Sequence, residues 1–150
     1  MPDRPRAGRR RRHRGRAARQ PGQEFLSARQ TGRAFPPRSG AAVILGGGYG
    51  FSQLADAAWL RGPRLRYWGD LDTHGFAILD QFRSAFPEAE SFLMDRITLL
   101  EHREPWTTEP TPTRAELSRL SPEEAGLYDD LRYDSLSASL RLEQEWLRFS

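Results

Sequence analysis

The 150-residue sequence contains no cysteine, which excludes a disulfide framework and any thiolate-held metal. It contains no lysine either: all 23 basic side chains are arginine, a bias expected from a GC-rich coding sequence rather than from a chemical demand. No apolar run approaches the roughly 20 residues of a membrane-spanning helix. The charged N-terminus lacks the apolar stretch of a secretory signal, so a cytoplasmic protein is expected. Histidine is scarce. His13, His74 and His102 are too scattered for a serine–histidine–acid triad or for zinc-ligand spacing. There are no internal repeats.

What is present is unevenly spread. Residues 1–20 hold nine arginines and one aspartate, a formal charge of +8, while the other 130 residues hold 14 arginines and 19 acids, a charge of −5; together they give the chain's +3. The high isoelectric point therefore describes a tail, and the remaining body is mildly acidic. A like-charged run of this kind is expected to be a disordered, solvated segment, or a mistranslated one, that can bind phosphate backbones. Arg10, Arg11 and Arg12 are its candidate nucleic-acid contacts, although the run has neither aromatic interleaving nor an amphipathic period. The length suits one compact domain, taken as residues 31–150, behind a basic segment of residues 1–30.

Along the body, Gln20 to Arg38 is polar and broken by Pro21, Gly22, Pro36 and Pro37. Ala41 to Leu45 predicts a buried strand, followed by Gly46-Gly47-Gly48-Tyr49-Gly50 and a helix over Phe51–Leu60. Leu65–Trp68 predicts a second strand. The spacing of Phe76, Leu79, Phe82 and Phe86 predicts a helix from about Gly75 to Phe86. Ser91–Asp95 predicts a third strand and Thr98–Arg103 a short helix. Residues 104–115, rich in proline and threonine, read as a linker. Ser121-Pro122-Glu123-Glu124 marks a helix start, and a last helix is expected from Leu140 to Phe149. Alternating strands and helices predict an α/β fold: a parallel sheet with helices on its faces and all strand carboxyl ends on one edge. Ligands bind at that edge, where Asp70, Asp72 and Asp95 are expected.

Asp70 and Asp72 are the main chemical signal. Two carboxylates two residues apart on extended backbone point the same way, and two like charges so close favour either protonation or a neutralising cation. Mg2+ (or Mn2+) suits such a pair, because it needs only one or two carboxylates besides water and phosphate. The alternative is a pair of loop carboxylates capping the next helix.

The stretch Trp68-Gly69-Asp70-Leu71-Asp72-Thr73-His74-Gly75-Phe76 carries a resemblance. With Ala34-Phe35-Pro36-Pro37, Gly46 to Phe51, Leu93-Met94-Asp95 and Arg141-Leu142-Glu143-Gln144-Glu145 in the same order, residues 31–149 resemble the C-terminal Toprim domain of the Wadjet anti-plasmid nuclease subunit, JetD. The resemblance implies a Toprim-like parallel sheet and a metal-dependent DNA endonuclease. It also implies double-stranded DNA as substrate and an SMC-like complex as partner, with a homodimer as a further candidate assembly. It assigns Asp70 and Asp72 to the metal and favours a role for the Arg141–Glu145 motif, with Glu143 as its metal candidate. The family pattern also expects a glutamate a few residues before Ala34; Glu24, lying further upstream, is the nearest acid and is carried as the candidate. The absence of a better one, and of upstream domains, leaves a second reading: a Toprim-shaped fragment that binds DNA or partner subunits without cutting. A topoisomerase-type subunit would need a tyrosine nucleophile on another domain.

The remaining candidates have plainer alternatives. His74 could contact phosphate, orient an aspartate, or merely pack at a helix start. Gly47, Gly48 and Tyr49 could let backbone approach DNA or form only a tight turn; the segment lacks a P-loop lysine and the third glycine of a dinucleotide fingerprint. Asp95 is expected to cap a helix or support the site from behind.

Overall fold

The computed structural model describes residues 64–147, the single positions Asp56 and Leu60, and the backbone of residues 24–28 and 42–45. Among these residues the fold is mixed α/β, and no helix is long and apolar enough to cross a membrane. Strands β1 (Glu24–Ala28), β2 (Ala42–Leu45), β3 (Arg64–Trp68) and β4 (Glu90–Ser91) form one sheet in the order β2-β1-β3-β4. Every pairing in it is parallel. The chain leaves β1 to one side to make β2 and returns to the other side to make β3. Such a reversal beside the carboxyl ends of β1 and β3 is the usual ligand position in an open parallel sheet.

β3 is held by burial. Tyr67 and Trp68 are each 1 % exposed and Leu65 is buried with them. After β3 comes helix α1 (Thr73–Ala85), started by Asp72 as N-cap. Its Phe76, Leu79 and Phe82 recur on one face and pack into the core, as their spacing predicted. Helix α2 (Arg96–Glu101) is capped by Asp95, whose side chain accepts from Thr98 N at 2.7 Å. Helix α3 (Pro122–Arg132) begins with the expected capping box between Ser121 and Glu124. It packs on α1 partly through a buried ion pair, in which Arg83 Nη2 donates to Glu124 Oε1 at 3.0 Å.

Four expectations are corrected. β1 lies inside the stretch read as broken and polar; strands on both sides satisfy its backbone, and that pairing outweighs weak local preference. The third strand shortens to β4, because Leu93 adopts a left-handed φ of 54° and Asp95 turns to capping. The supposed linker contains β5 (Thr107–Thr108), paired antiparallel with β6 (Leu140–Arg141). The last helix is replaced by β6, a bridge at Leu142 and one 3-10 turn, Gln144–Trp146. There Leu140, Leu142 and Gln144 are buried while Arg141 and Glu143 are partly exposed, the period of two that belongs to extended chain. The predicted helix over Phe51–Leu60 lies outside the described residues, apart from exposed Asp56 and buried Leu60.

Candidate functional site

Beyond Trp68 the chain crosses the sheet's carboxyl edge as Gly69-Asp70-Leu71-Asp72. Asp72 Oδ1 accepts from Gly75 N at 2.6 Å, satisfying one of the orphan N–H groups at the start of α1. Gly75 is glycine for a steric reason: a Cβ there would lie 1.9 Å from the Asp70 carbonyl oxygen. The loop and the helix start are therefore pressed together, which places both aspartates at the head of α1.

The second wall of the site comes from the far end of the chain. Leu71 and Leu142, both 0 % exposed, form an antiparallel bridge with N–H···O distances of 2.9 and 3.1 Å. That bridge brings Gln144 N to Asp70 Oδ1, at 2.9 Å. Arg141 pairs with Glu143 through Nη2. Against the cost of burial, that hydrogen bond and the charges of Glu143, Asp70 and Asp72 hold the Arg141 guanidinium above its ordinary pKa. The Arg141–Glu145 motif thus does meet the aspartate pair, through extended chain rather than through a helix.

The third wall was not foreseen. Glu109, 3 % exposed, accepts from Thr73 N and His74 N, each at 3.1 Å, and from Thr73 Oγ1 at 2.8 Å. His74 Nδ1 lies 2.7 Å from its Oε1. No sequence signal marked it, because an acid among prolines and threonines reads as loop. The cluster leaves Asp72, 2 % exposed, with its carboxyl pushed up to about 6. Burial is the largest cause and the Glu109 charge the next; the Gly75 N–H opposes, the Asp70 charge adds, and Arg141 opposes weakly. Carboxyls displaced upward in this way cluster at functional sites, as they also do in buried ion-pair networks.

Other predicted residues fall elsewhere. Glu24 pairs in register with Arg64, at the amino edge of the sheet. Six residues of extended chain separate Arg64 from Asp70, roughly 20 Å at about 3.3 Å per residue, so the register does not bring Glu24 to the aspartates. The β1 end in line with them is Ala28, paired with Trp68, and residues 25–55 contain no aspartate or glutamate at all. Gly47, Gly48, Tyr49, Arg10, Arg11 and Arg12 lie outside the described residues.

Among the described residues, no three histidine, cysteine, aspartate or glutamate side chains are grouped so as to hold a metal ion by themselves. The donors nevertheless fit a hard cation that takes one or two carboxylates and fills its remaining positions with water and phosphate oxygens. Asp72 is buried against two other negative charges, a surplus that such a cation would relieve.

A family model described as Wadjet protein JetD, C-terminal, matches residues 28–150. No curated protein matches the chain.

Proposed function

The chain belongs to the Wadjet JetD C-terminal family, part of a multi-subunit defence complex, and from that premise we propose that it is the Toprim-type, Mg2+-dependent endonuclease domain that cuts plasmid DNA. The observation that carries the reading is the Asp70/Asp72 pair at the carboxyl edge of β3, with Asp72 held at a raised pKa by burial and acidic neighbours. Asp70 and Asp72 would hold the ion, and Glu143 is the next candidate. A bound Mg2+ would supply positive charge to phosphate oxygens as negative charge develops on them. The protein's own groups do the positioning. Gly75 N–H and Gln144 N–H fix one oxygen of Asp72 and one of Asp70. Arg141 is the cation available to offset charge at the pair. Double-stranded DNA, delivered by SMC-like partner subunits, is the proposed substrate.

The test is calorimetric titration of the purified chain with MgCl2 and MnCl2, beside an Asp70→Ala, Asp72→Ala double variant, followed by a supercoiled-plasmid nicking assay. Binding and nicking that both vanish in the variant are expected. Nicking that survives the double substitution refutes the assignment. A second reading, a Toprim-shaped module that docks DNA or partners without cutting, is favoured by one observation: no carboxylate occurs in residues 25–55, a range that includes the carboxyl end of β1. Absence of cation binding in both proteins supports that reading.

A further inference from the structure

Glu109 is a buried carboxylate that the proposed chemistry does not use. It meets the head of α1 from 35 residues away in sequence. Part of its role is ordinary: the first N–H groups of a helix lack intrahelical acceptors, and negative charge is favoured there. Thr73 N and His74 N are such donors. The Thr73 hydroxyl accepts from Thr113 N at 2.8 Å and lies 2.8 Å from each Glu109 carboxylate oxygen, where its own O–H can donate. Capping does not account for the ring. The His74 imidazole turns back so that Nδ1 lies 2.7 Å from Oε1, while 39 % of its side chain stays accessible. Glu109 thus gathers the Thr73 and His74 backbone N–H groups and the Thr73 hydroxyl, and the ring nitrogen that faces the same carboxylate is the natural place for the imidazole N–H.

We infer that Glu109 is the positioning residue of His74, holding the ring with Nδ1–H on the carboxylate and so leaving Nε2 as the lone-pair acceptor of the uncharged ring. A carboxylate that orients a histidine through one ring nitrogen determines what the other can do. In this tautomer the neutral ring has no N–H to offer a phosphate oxygen, and it accepts instead from a donor such as a water or a sugar hydroxyl. The identity of that donor rests on the phosphodiester reading proposed above; the tautomer does not.

The test is a long-range 1H–15N correlation spectrum of the uniformly labelled full chain at pH 8, with His74→Gln assigning the ring. The expected result is Nδ1 in the protonated-nitrogen region and Nε2 in the unprotonated region, the reverse of the tautomer that free histidine favours. Glu109→Gln, which can turn its amide NH2 toward the ring, is expected to shift His74 toward the Nε2–H form. An Nε2–H tautomer or an even mixture in the wild type overturns the inference, as does an unchanged tautomer in a folded Glu109→Gln protein. If that variant does not fold, the wild-type spectrum decides alone. The plasmid assay separates the two proposals: a fixed Nδ1–H ring without Asp70/Asp72-dependent nicking overturns only the nuclease reading, and nicking with an Nε2–H ring overturns only this one.

Discussion

Asp72→Asn should make the protein more stable, although Asp72 is at the centre of the proposed site. The Asp72 carboxyl is raised from 3.8 to about 6 in the fold, so its charged form is worth less folded than unfolded. That difference corresponds to about 3 kcal/mol of destabilisation when the group is ionised. Asparagine keeps the cap, because its side-chain oxygen accepts from Gly75 N as well as aspartate does, at little cost. At pH 8 and without divalent cations, the variant should gain about 1–3 kcal/mol, or about 3–10 °C in Tm for a chain of this size. The pH dependence has a definite sign. The folded state binds the proton more tightly than the unfolded chain, so wild-type stability, as far as Asp72 sets it, falls as pH rises from about 4 to about 6. The gap between variant and wild type should therefore be fully present above pH 6 and close as pH drops below 4. Urea denaturation at pH 8 and pH 4 in EDTA measures both ends. A loss of stability at pH 8, or an equal gap at both, refutes the reasoning. Saturating Mg2+ should then raise the wild type more than the variant, by about 2.7 kcal/mol for free ion at 100 times Kd.

Gly75→Ala should cost about 1–3 kcal/mol from overpacking, despite alanine's better helix propensity, because the new Cβ would meet the Asp70 carbonyl at 1.9 Å; the urea midpoint reads it. Removing one side of the buried Arg83–Glu124 pair by Arg83→Ala should cost about 3–5 kcal/mol. The Arg83→Met, Glu124→Leu double variant should recover most of that in the same assay. Leu142→Ala, at a fully buried position, should cost about 2–5 kcal/mol and weaken cation binding by calorimetry, since the bridge to Leu71 seats Gln144 on Asp70. Deleting residues 1–20, which carry +8, should flatten the salt dependence of DNA binding measured by fluorescence anisotropy; an unchanged slope would show that the tail is not the contact.

Where the sequence was legible, a local signal and its tertiary use coincided. Asp72 and Ser121 are helix caps followed by periodic apolar faces, so α1 and α3 could be read within a few residues of their ends. β3 could be read because Leu65, Tyr67 and Trp68 are all core residues. The misreadings share one cause. β1, β5 and β6 are short strands of mixed character, stabilised by partners far away in sequence, and a window along the chain contains no trace of those partners. Arg141–Glu145 read as helix because its residue types suit one, yet its buried positions alternate Leu140, Leu142, Gln144, and that alternation was the available signal. Glu109 had none, since its meaning comes only from its meeting with Thr73 and His74.

The site's composition explains why it needs three chain segments. A loop carrying two aspartates at a strand end could cap a helix by itself, and capping would favour an exposed, easily ionised acid. Instead Leu71 and Leu142 exclude water on one side and Glu109 adds negative charge on the other, so the fold retains a carboxylate it holds at a disadvantage. Local stability does not account for that arrangement: an asparagine at 72 would keep the cap and remove the penalty. A cation bound at the pair would reverse the balance, making the same burial strengthen its attraction to both aspartates. On that argument the unfavourable charge at Asp72 supports the proposed cation site, and the stability of Asp72→Asn with and without Mg2+ tests it.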